Sequence, residues 1–302
     1  AYRREGVDVA FAPAIYHGWR SDIPAIAWFP DFQHRRLPHM FSRAGWWKRD
    51  LGFRAQVASS PVILLSSEDA ERDCLSYYRA ARGRTCVARF AVPVDSWPNV
   101  DTAWERLRAE GITEDFVFLP NQLWQHKNHM LAVGAAALLA QRGSSRVILV
   151  TGHGEDPRRP GYRAEIEARI ATLGAGSHIR LLGSVDHGLV QAMMMGCNAL
   201  VNPSRFEGWS TTVEEAKAVG TPMLLSDIPV HREQAPHARF FGTDDAAAMA
   251  DAIESATPRP LDVIKTAVDE ARKVTLERQS EYAQTVSRAV RQAAAFAAIK
   301  PV

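Results

Sequence analysis

The chain contains 302 residues, of which 46% are hydrophobic and 23% are charged. These values are typical of a globular protein, and the length predicts two domains that each have their own core. A formal net charge of +2 gives no sign of nucleic-acid binding, and no apolar run approaches the roughly 20 residues of a membrane span. We therefore expect a soluble cytoplasmic enzyme.

Positive charge is concentrated in the first hundred residues, which hold 14 Lys and Arg against 10 Asp and Glu. The favoured interpretation is an ordinary solvated surface. The alternative is a patch that faces anionic lipid headgroups or an anionic acceptor, with peripheral association at the inner face of the membrane. The basic residues concerned are Arg35, Arg36, Arg43, Lys48, Arg49 and Arg54.

The three cysteines, Cys74, Cys86 and Cys197, lack the spacing of metal ligands. Cys74 and Cys86 are close enough in sequence to pair, but the odd number and the absence of a secretory signal predict free thiols in a reducing compartment. No sequence motif for a metal ion is present, so we expect neither a metal nor an organic cofactor.

The first part of the chain shows a weak alternation of strands and helices. Strand candidates lie at 7–11, 25–29 and 62–65, and a helix is predicted from 69 to 81. The chain does not begin with Met and opens on residues typical of a helix end, which predicts that an earlier segment is missing. Residues 92–98 lack regular signals and are typical of a linker.

After residue 115 the alternation of apolar runs and helix-length segments becomes regular. Short runs bounded by Gly and Pro are typical of a parallel sheet that helices cover on both faces. The loops that follow such strands are expected to gather at one edge, where open α/β sheets bind ligands. The predicted strands are 116–119, 147–150, 179–182, 199–201, 223–225 and 239–241, and the predicted helices are 128–142, 162–173, 188–195 and 212–219.

The segment from 258 to 298 is predicted to be helical and mostly polar. Its last part, 282–297, has apolar residues at helical spacing and is expected to dock on a neighbouring domain. The residues that define this stripe are Val286, Val290, Ala293 and Phe296.

Residues 203–216 carry the strongest functional signal. Glu207 and Glu215 stand eight positions apart, separated by a glycine, an aromatic residue and three consecutive hydroxyl residues. The pattern predicts a strand, a tight loop and a helix, with one carboxylate on the loop and the other in the helix. Carboxylates accept hydrogen bonds from sugar hydroxyls, and the amides of a helix N-terminus attract phosphate. A nucleotide-sugar has both features. Glu214 is assigned to structure instead, as part of a capping box with Thr211.

This motif resembles the donor site of retaining GT-B glycosyltransferases of family 4. Residues 119–129 resemble the segment in which such enzymes place a phosphate-binding cation, and residues 28–38 resemble a cleft-facing loop in a bacterial branch of the family. The resemblance implies an α/β GT-B fold, with two Rossmann-like domains facing a cleft and the first domain lacking its first strand–helix unit. The implied divisions are an acceptor-side domain at 1–98, a nucleotide-sugar-binding domain at 99–275, and a helix at 276–302 that packs back on the first domain.

The resemblance also implies roles for individual residues. Glu207 would hold the hydroxyls of the transferred sugar and Glu215 those of the ribose, while Lys127 would bind phosphate. The family commonly has an arginine shortly before this lysine; here Asn121, also expected to contact the donor, and Gln122 occupy that region. Arg205 would substitute for the absent cation. The main-chain amides of Gly208, Trp209, Ser210 and Thr211 would face the diphosphate. The main chain of Gly183, Ser184 and Val185 would contact the nucleobase. For Trp209, packing is an equal alternative.

From the first domain, Asp31 and His34 are the polar residues expected to face the cleft. Many family members have a His-Asp pair near this point. Here Pro30 precedes Asp31, so His34 would reach the donor or the acceptor instead. An exposed loop histidine is the equal alternative for this residue.

We therefore expect metal-independent transfer of a sugar, with retention of configuration, from a nucleotide-sugar to a glycan or lipid-linked acceptor. A UDP- or GDP-sugar is the expected donor, and polysaccharide biosynthesis is the expected setting, by analogy alone. Two alternatives need only the donor half of the site: a nucleotide-sugar epimerase or hydrolase, and a non-catalytic fragment that binds the nucleotide-sugar. No nucleic-acid partner is expected.

Overall fold

A computed structural model describes residues 5–13, 23–95, 97–113 and 115–299. The chain divides into two compact α/β units. The first unit comprises the described residues of Ala1–Ala91, together with Glu207–Trp209 and Glu277–Val302. The second comprises those of Val92–Phe206 and Ser210–Leu276. In the described part of the chain, no helix combines the length and the apolar character that a membrane span needs.

The first unit is built on a parallel sheet of four strands in the order β1-β2-β3-β4. The strands are β1 (Ala10–Pro13), β2 (Ala25–Phe29), β3 (Val62–Leu65) and β4 (Thr85–Val87). The predictions for β2 and β3 are confirmed, and β1 lies slightly later than expected. Sequence analysis missed β4 because its three half-buried residues are too few to show a periodicity.

Three helices accompany this sheet: α1 (Gln33–Arg36), α2 (Arg43–Ser59) and α3 (Glu68–Tyr77). Sequence analysis did not predict α2. The buried positions of this helix include Asp50 and Gln56, so two polar residues interrupt the apolar stripe that would have revealed it. The helix predicted from 69 to 81 is present as α3, followed by a short 3₁₀ turn.

The second unit contains a parallel sheet of six strands in the order β10-β9-β8-β5-β6-β7. All six predicted strands are present, with ends that differ by no more than one residue. They are β5 (Phe116–Pro120), β6 (Val147–Thr151), β7 (Ile179–Gly183), β8 (Leu200–Asn202), β9 (Met223–Ser226) and β10 (Arg239–Phe241).

Helices cover both faces of this sheet, so two hydrophobic cores form. In β5, Val117 and Leu119 face one core and Phe116 and Phe118 the other, because successive side chains of a strand point to opposite faces. The helices are α4 (Val100–Ala109), α5 (His129–Gln141), α6 (Tyr162–Thr172), α7 (His187–Gly196), α8 (Thr211–Ala218), α9 (Pro229–Gln234) and α10 (Ala246–Glu254). Residues of α5 and α10 fill the first core, and residues of α4, α7 and α8 fill the second.

The predicted C-terminal helix is one element, α11 (Leu261–Ile299). Its second half groups with the first unit, where Ala289 and Ala293 are buried in a core with residues of β2 and β3. Val290 and Phe296 are 40% and 45% exposed. The predicted apolar stripe is therefore correct in part: Ala293 is buried and Val286 is half-buried, but the buried face runs through the two small alanines, which allow closer packing than larger side chains.

All three cysteines are free thiols, as predicted. Cys74 and Cys197 are buried, and burial raises the pKa of each to about 12. These two thiols are therefore protonated and unreactive near neutral pH.

Candidate functional site

The loops that follow β5, β6 and β7 meet at the carboxyl edge of the second sheet, as predicted for adjacent parallel strands. Gly152 N donates a hydrogen bond to Gly183 O at 2.9 Å, which joins the last two of these loops. A Cβ added to Gly152 would lie 2.2 Å from Asn121 O. Position 152 therefore requires glycine, a role that sequence analysis did not recognise.

Asn202, at the end of β8, connects the loop after β5 with the start of α8. Its Oδ1 accepts a hydrogen bond from Asn121 Nδ2 at 3.2 Å, and its Nδ2 donates to Ser210 Oγ at 3.0 Å. All three residues are buried. Asn202 was not among the predicted site residues. Its position as a polar residue at the carboxyl end of an apolar strand was the sequence signal that could have identified it. The Asn121 side chain, expected to contact the donor, instead lies in this buried bridge.

Lys127 ends a short 3₁₀ turn and lies two residues before α5. Between them, Asn128 adopts a left-handed conformation (φ 61°), and its Nδ2 donates to Pro203 O at 3.1 Å. Arg205 N also donates to His126 O at 2.8 Å. Both bonds attach the lysine turn to the loop after β8. The predicted phosphate-binding cation and the first residues of the 203–216 motif therefore lie at the same edge of the sheet.

Gln234 holds the start of α8. The N–H of Ser210, the residue before α8, donates to Gln234 Oε1 at 3.1 Å. Gln234 Nε2 donates to Ser210 O at 2.8 Å and to Glu214 Oε1 at 2.9 Å, and Lys217 Nζ bonds the same Glu214 oxygen at 3.2 Å. Two predictions are corrected. Glu214 is structural, but through Gln234 and Lys217 and not through a capping box. The Ser210 N–H already has an acceptor, so it is not available to a diphosphate.

Glu215 lies one turn into α8 and has a different environment from Glu214. Its side chain is half-buried, and no described residue forms a hydrogen bond or ion pair with its carboxylate. Burial raises the pKa of this carboxyl to about 7. A carboxyl group that is removed from water without a protein partner is typical of ligand sites. Thr211, the first residue of α8, is exposed.

Residues 207–209, which contain the other predicted sugar-binding carboxylate, group with the first unit. A Cβ at Gly208 would lie 1.8 Å from Pro30 O, so the close approach of the main chain requires glycine here. The Trp209 indole is buried, and its Nε1 donates to Phe90 O at 3.1 Å. These contacts favour the packing interpretation of Trp209.

The turn after β7 exposes main chain and a hydroxyl. Gly183 has a φ of 73°, and Ser184 is exposed with its Oγ 3.3 Å from His153 Nδ1. Val185 is half-buried. A main-chain contact with a ligand requires this kind of accessible turn at the carboxyl edge.

Arg205 is exposed and ion-paired, with its Nη2 at 2.5 Å from Asp244 Oδ1. An exposed pair of this kind contributes little to stability, but it gives the guanidinium a partner within the chain. The role of Arg205 as a substitute for the arginine that the family commonly has before Lys127 therefore stays a prediction.

His34 lies in the interior of the first unit with 0% of its surface exposed, so both expectations, a ligand-facing and an exposed histidine, are wrong. Its Nε2 is 3.3 Å from Tyr78 Oη and 3.6 Å from Asp50 Oδ1. Burial, together with the positive charge of Arg49, lowers the pKa of His34 to about 4. The imidazole is therefore neutral near pH 7 and packs as part of the core.

Asp31 has a structural explanation in the same unit. Its Oδ1 accepts hydrogen bonds from Gln33 N at 2.8 Å and from Arg49 Nη2 at 3.0 Å. The first bond fixes the start of α1, and the second attaches that turn to α2. About a quarter of its side chain (25%) stays exposed, so a further role of Asp31 toward an acceptor stays a prediction.

Most residues of the basic patch, which was the alternative to an ordinary solvated surface, are paired with carboxylates inside the first unit. The Arg35 Nε and the Arg54 Nε donate to the buried Asp50 carboxylate at 2.9 Å and 2.8 Å, and the Arg36 Nε donates to Asp73 at 2.9 Å. Arg49 is paired with Asp31. The two remaining members of the predicted patch, Arg43 and Lys48, are exposed. Among the described residues, no cluster of three or more His, Cys, Asp or Glu side chains could hold a metal ion.

Residues 104–273 match the family described as Glycosyl transferases group 1. The match covers more than half of the chain and includes Lys127, Asn202 and Glu215. The chain therefore belongs to this family.

One curated relative is "Putative glycosyltransferase EpsF" of Bacillus subtilis (strain 168). It is 26% identical over 177 residues, which are 58% of this chain and 44% of the relative. The chain thus spans less than half the length of this relative.

Solved structures establish the fold over almost the whole chain. Sucrose-phosphate synthase from Thermosynechococcus elongatus superimposes with a TM-score of 0.76 at 19% identity, covering 98% of this chain and 76% of the other. HepE of Anabaena, solved in complex with UDP-glucose, superimposes with a TM-score of 0.69 at 14% identity, covering 93% and 79%. The fold is that of GT-B glycosyltransferases, with two parallel-sheet α/β domains.

Proposed function

We propose that this protein is a retaining glycosyltransferase of family 4, in a bacterial branch, that transfers a sugar from a nucleotide-sugar to a hydroxyl of a glycan or lipid-linked acceptor without a metal ion. The observation that carries the proposal is the Glu215 carboxyl group. It is half-buried and has no partner among the described residues, one turn into the helix that follows β8. Membership of the glycosyl transferases group 1 family and the GT-B fold support the same reaction class.

Glu215 has the chemistry that a ribose diol requires. Two vicinal hydroxyls donate two hydrogen bonds, and an ionised carboxylate accepts both. Burial disfavours this negative charge and raises the pKa to about 7. Hydroxyl donors stabilise the ionised form, so donor binding lowers the pKa and is coupled to release of a proton.

Lys127 and the first turn of α8 would bind the diphosphate. When the bond from the anomeric carbon to the leaving oxygen breaks, negative charge develops on the nucleoside diphosphate. A lysine ammonium group near this oxygen stabilises the transition state more than the ground state. The exposed N-terminal residue of α8, Thr211, adds the positive end of the helix dipole.

Glu207 would orient the hydroxyls of the transferred sugar and would not act as a nucleophile, and the acceptor hydroxyl would attack from the face that the diphosphate leaves. The main chain of residues 183–185 would contact the nucleobase. HepE is solved with UDP-glucose, which makes UDP-glucose the first donor to test on this chain.

The test incubates the purified chain with UDP-glucose or GDP-mannose, with and without sugar and lipid-linked acceptors, in buffer containing EDTA. We expect nucleoside diphosphate release that depends on the acceptor, and a product whose anomeric configuration, read by NMR, matches that of the donor. Equal release without acceptor would indicate a hydrolase, and a changed free sugar nucleotide would indicate an epimerase. Failure of every donor to bind would refute the proposal.

A further inference from the structure

A cavity with a volume of about 590 Å³ lies at the amino edge of the second sheet, opposite the candidate donor site. Its walls come from the segments that precede three strands: Asn198 and Ala199 before β8, Pro222 before β9, and Ala238 before β10. Because the sheet is parallel, these are the amino ends of the strands, whereas the candidate donor site follows their carboxyl ends. The volume is within the range of roughly 300–1,000 Å³ that is usual for small-molecule sites.

The ionisable residues that line this cavity are all basic: they are Lys217, His237, Arg239 and Arg259, and no Asp or Glu is among the described lining residues. Lys217 is already bound to Glu214, so the two arginines supply most of the positive charge. The Arg239 side chain is exposed and forms no hydrogen bond or ion pair with the described residues. A concave surface with only basic groups at its walls attracts anions.

Two buried donors in the same lining have no acceptor. Asn198 is 5% exposed, and its Nδ2 forms no hydrogen bond with any described residue; the same is true of the buried Nε of Arg259. The Arg259 guanidinium is held in place because its Nη2 donates to Met195 O at 2.8 Å and to Cys197 O at 2.9 Å. Buried donors without partners are uncommon in folded proteins, and an acceptor brought by a ligand would satisfy these two.

Much of the remaining lining is apolar and would accommodate a carbon skeleton. The apolar residues are aliphatic side chains at the starts of the strands and around α9 and α10. These residues are Ala199, Pro222, Met223, Leu224, Ala235, Pro236, Ala238 and Ala256.

We propose that this cavity binds a small organic phosphate, a phosphomonoester with an apolar body. The phosphate oxygens accept hydrogen bonds from Arg239, and a small shift of the lining on binding gives them access to Asn198 Nδ2 and Arg259 Nε. The carbon skeleton packs on the apolar lining. A phosphomonoester fits better than a carboxylate because it offers three acceptor oxygens and up to two negative charges to a set of groups that only donate.

The test uses the full chain, with phenyl phosphate as the probe and benzyl alcohol as its uncharged counterpart. Affinity is measured by calorimetry, and the binding position by the amide shifts of ¹⁵N-labelled protein. We expect phenyl phosphate, but not benzyl alcohol, to shift the amides of Asn198, Ala238 and Thr257. The Lys127→Ala variant is titrated in parallel, so that phosphate binding at the candidate donor site is recognised separately.

Two variants and one matched control complete the test. Arg239→Gln should weaken phenyl phosphate binding by about tenfold, the effect of losing one charge-assisted hydrogen bond. Arg169→Gln changes an equally exposed arginine on α6, outside the cavity, and should bind like wild type. Asn198→Leu should lose binding while its melting temperature without ligand stays at or above that of wild type, since the replaced amide has no partner for its Nδ2.

Binding that is equal in Arg239→Gln and Arg169→Gln would overturn the proposal, as would shifts confined to residues around Lys127. These outcomes are independent of glycosyl transfer, because they concern the opposite edge of the sheet and no nucleotide-sugar.

Discussion

Glu214 and Glu215 are neighbours in α8, yet only the first has partners in the structure. Glu214 is 0% exposed, and Gln234 and Lys217 bind its carboxylate at 2.9 Å and 3.2 Å. Glu215 is half-buried without a described partner, and burial raises its pKa to about 7. Neighbouring helix positions differ by about 100° in direction, so one carboxylate holds the helix in place while the other is left for a ligand.

Glu215→Gln tests this division through donor binding. The amide keeps the size of the side chain but loses the negative charge and one acceptor, so we expect UDP-glucose affinity to fall by at least about tenfold. In wild type, affinity should increase between pH 6 and pH 8 as Glu215 ionises, and this increase should be absent from the variant. Calorimetry at several pH values measures both effects. An affinity that is unchanged in Glu215→Gln would exclude Glu215 as a donor ligand.

The same substitution should raise the free energy of unfolding at and above neutral pH. The folded-state pKa of Glu215, about 7, lies above its ordinary value of 4.5. The unfolded chain therefore releases the proton first, and the free energy of unfolding falls as the pH rises from about 4.5 to 7. Glu215→Gln has no carboxyl group to ionise at this position. The difference in the free energy of unfolding between the variant and wild type should therefore grow in favour of the variant between pH 5 and pH 8, by up to about 3 kcal/mol. Urea unfolding at both pH values measures it. As a matched control, Glu214→Gln should lower the free energy of unfolding at both pH values, because it weakens the bonds to Gln234 and Lys217.

The parallel sheet could be predicted because its strands are buried on both faces and form apolar runs bounded by Gly and Pro. The candidate site could be predicted only in part. Glu215 follows from a local pattern, but Gln234 lies 24 positions from Ser210, and His34 lies 44 positions from Tyr78. Neither contact leaves a local sequence signal. His34 lies beside Asp50 of α2 in the interior of the first unit. The apolar periodicity of α2 is interrupted by its buried polar residues, so this helix was not predicted.

Lys127→Ala should reduce turnover by at least about tenfold, or about 1.4 kcal/mol of transition-state stabilisation, with the melting temperature unchanged. The reason is that its charge would oppose the negative charge on the leaving diphosphate. Lys273→Ala removes an exposed lysine from α11 and serves as the control. Steady-state assays with UDP-glucose and an acceptor measure the effect. Equal rates in the two variants would remove Lys127 from the proposed site.

Asp50→Asn tests whether the basic residues of the first unit are structural. Asp50 is 0% exposed and accepts hydrogen bonds from Arg35, Arg54 and Tyr78. Although burial alone would raise it, these hydrogen bonds hold the pKa of Asp50 below its usual value. Loss of the charge weakens the hydrogen bonds that the half-buried Arg35 and the exposed Arg54 donate to this buried side chain. We therefore expect about 1–3 kcal/mol less stability near pH 7, measured by urea unfolding.

Because the depressed pKa makes this contribution available only above the unfolded pKa, the difference between wild type and Asp50→Asn should diminish as the pH falls below about 4. Asp31→Asn, which affects a partly exposed pair with Arg49, should cost less than about 1 kcal/mol at either pH. If both variants lost the same small amount of stability near pH 7, Asp50 would not be the anion that holds these arginines. A basic surface for an anionic acceptor or a membrane would then be the better interpretation.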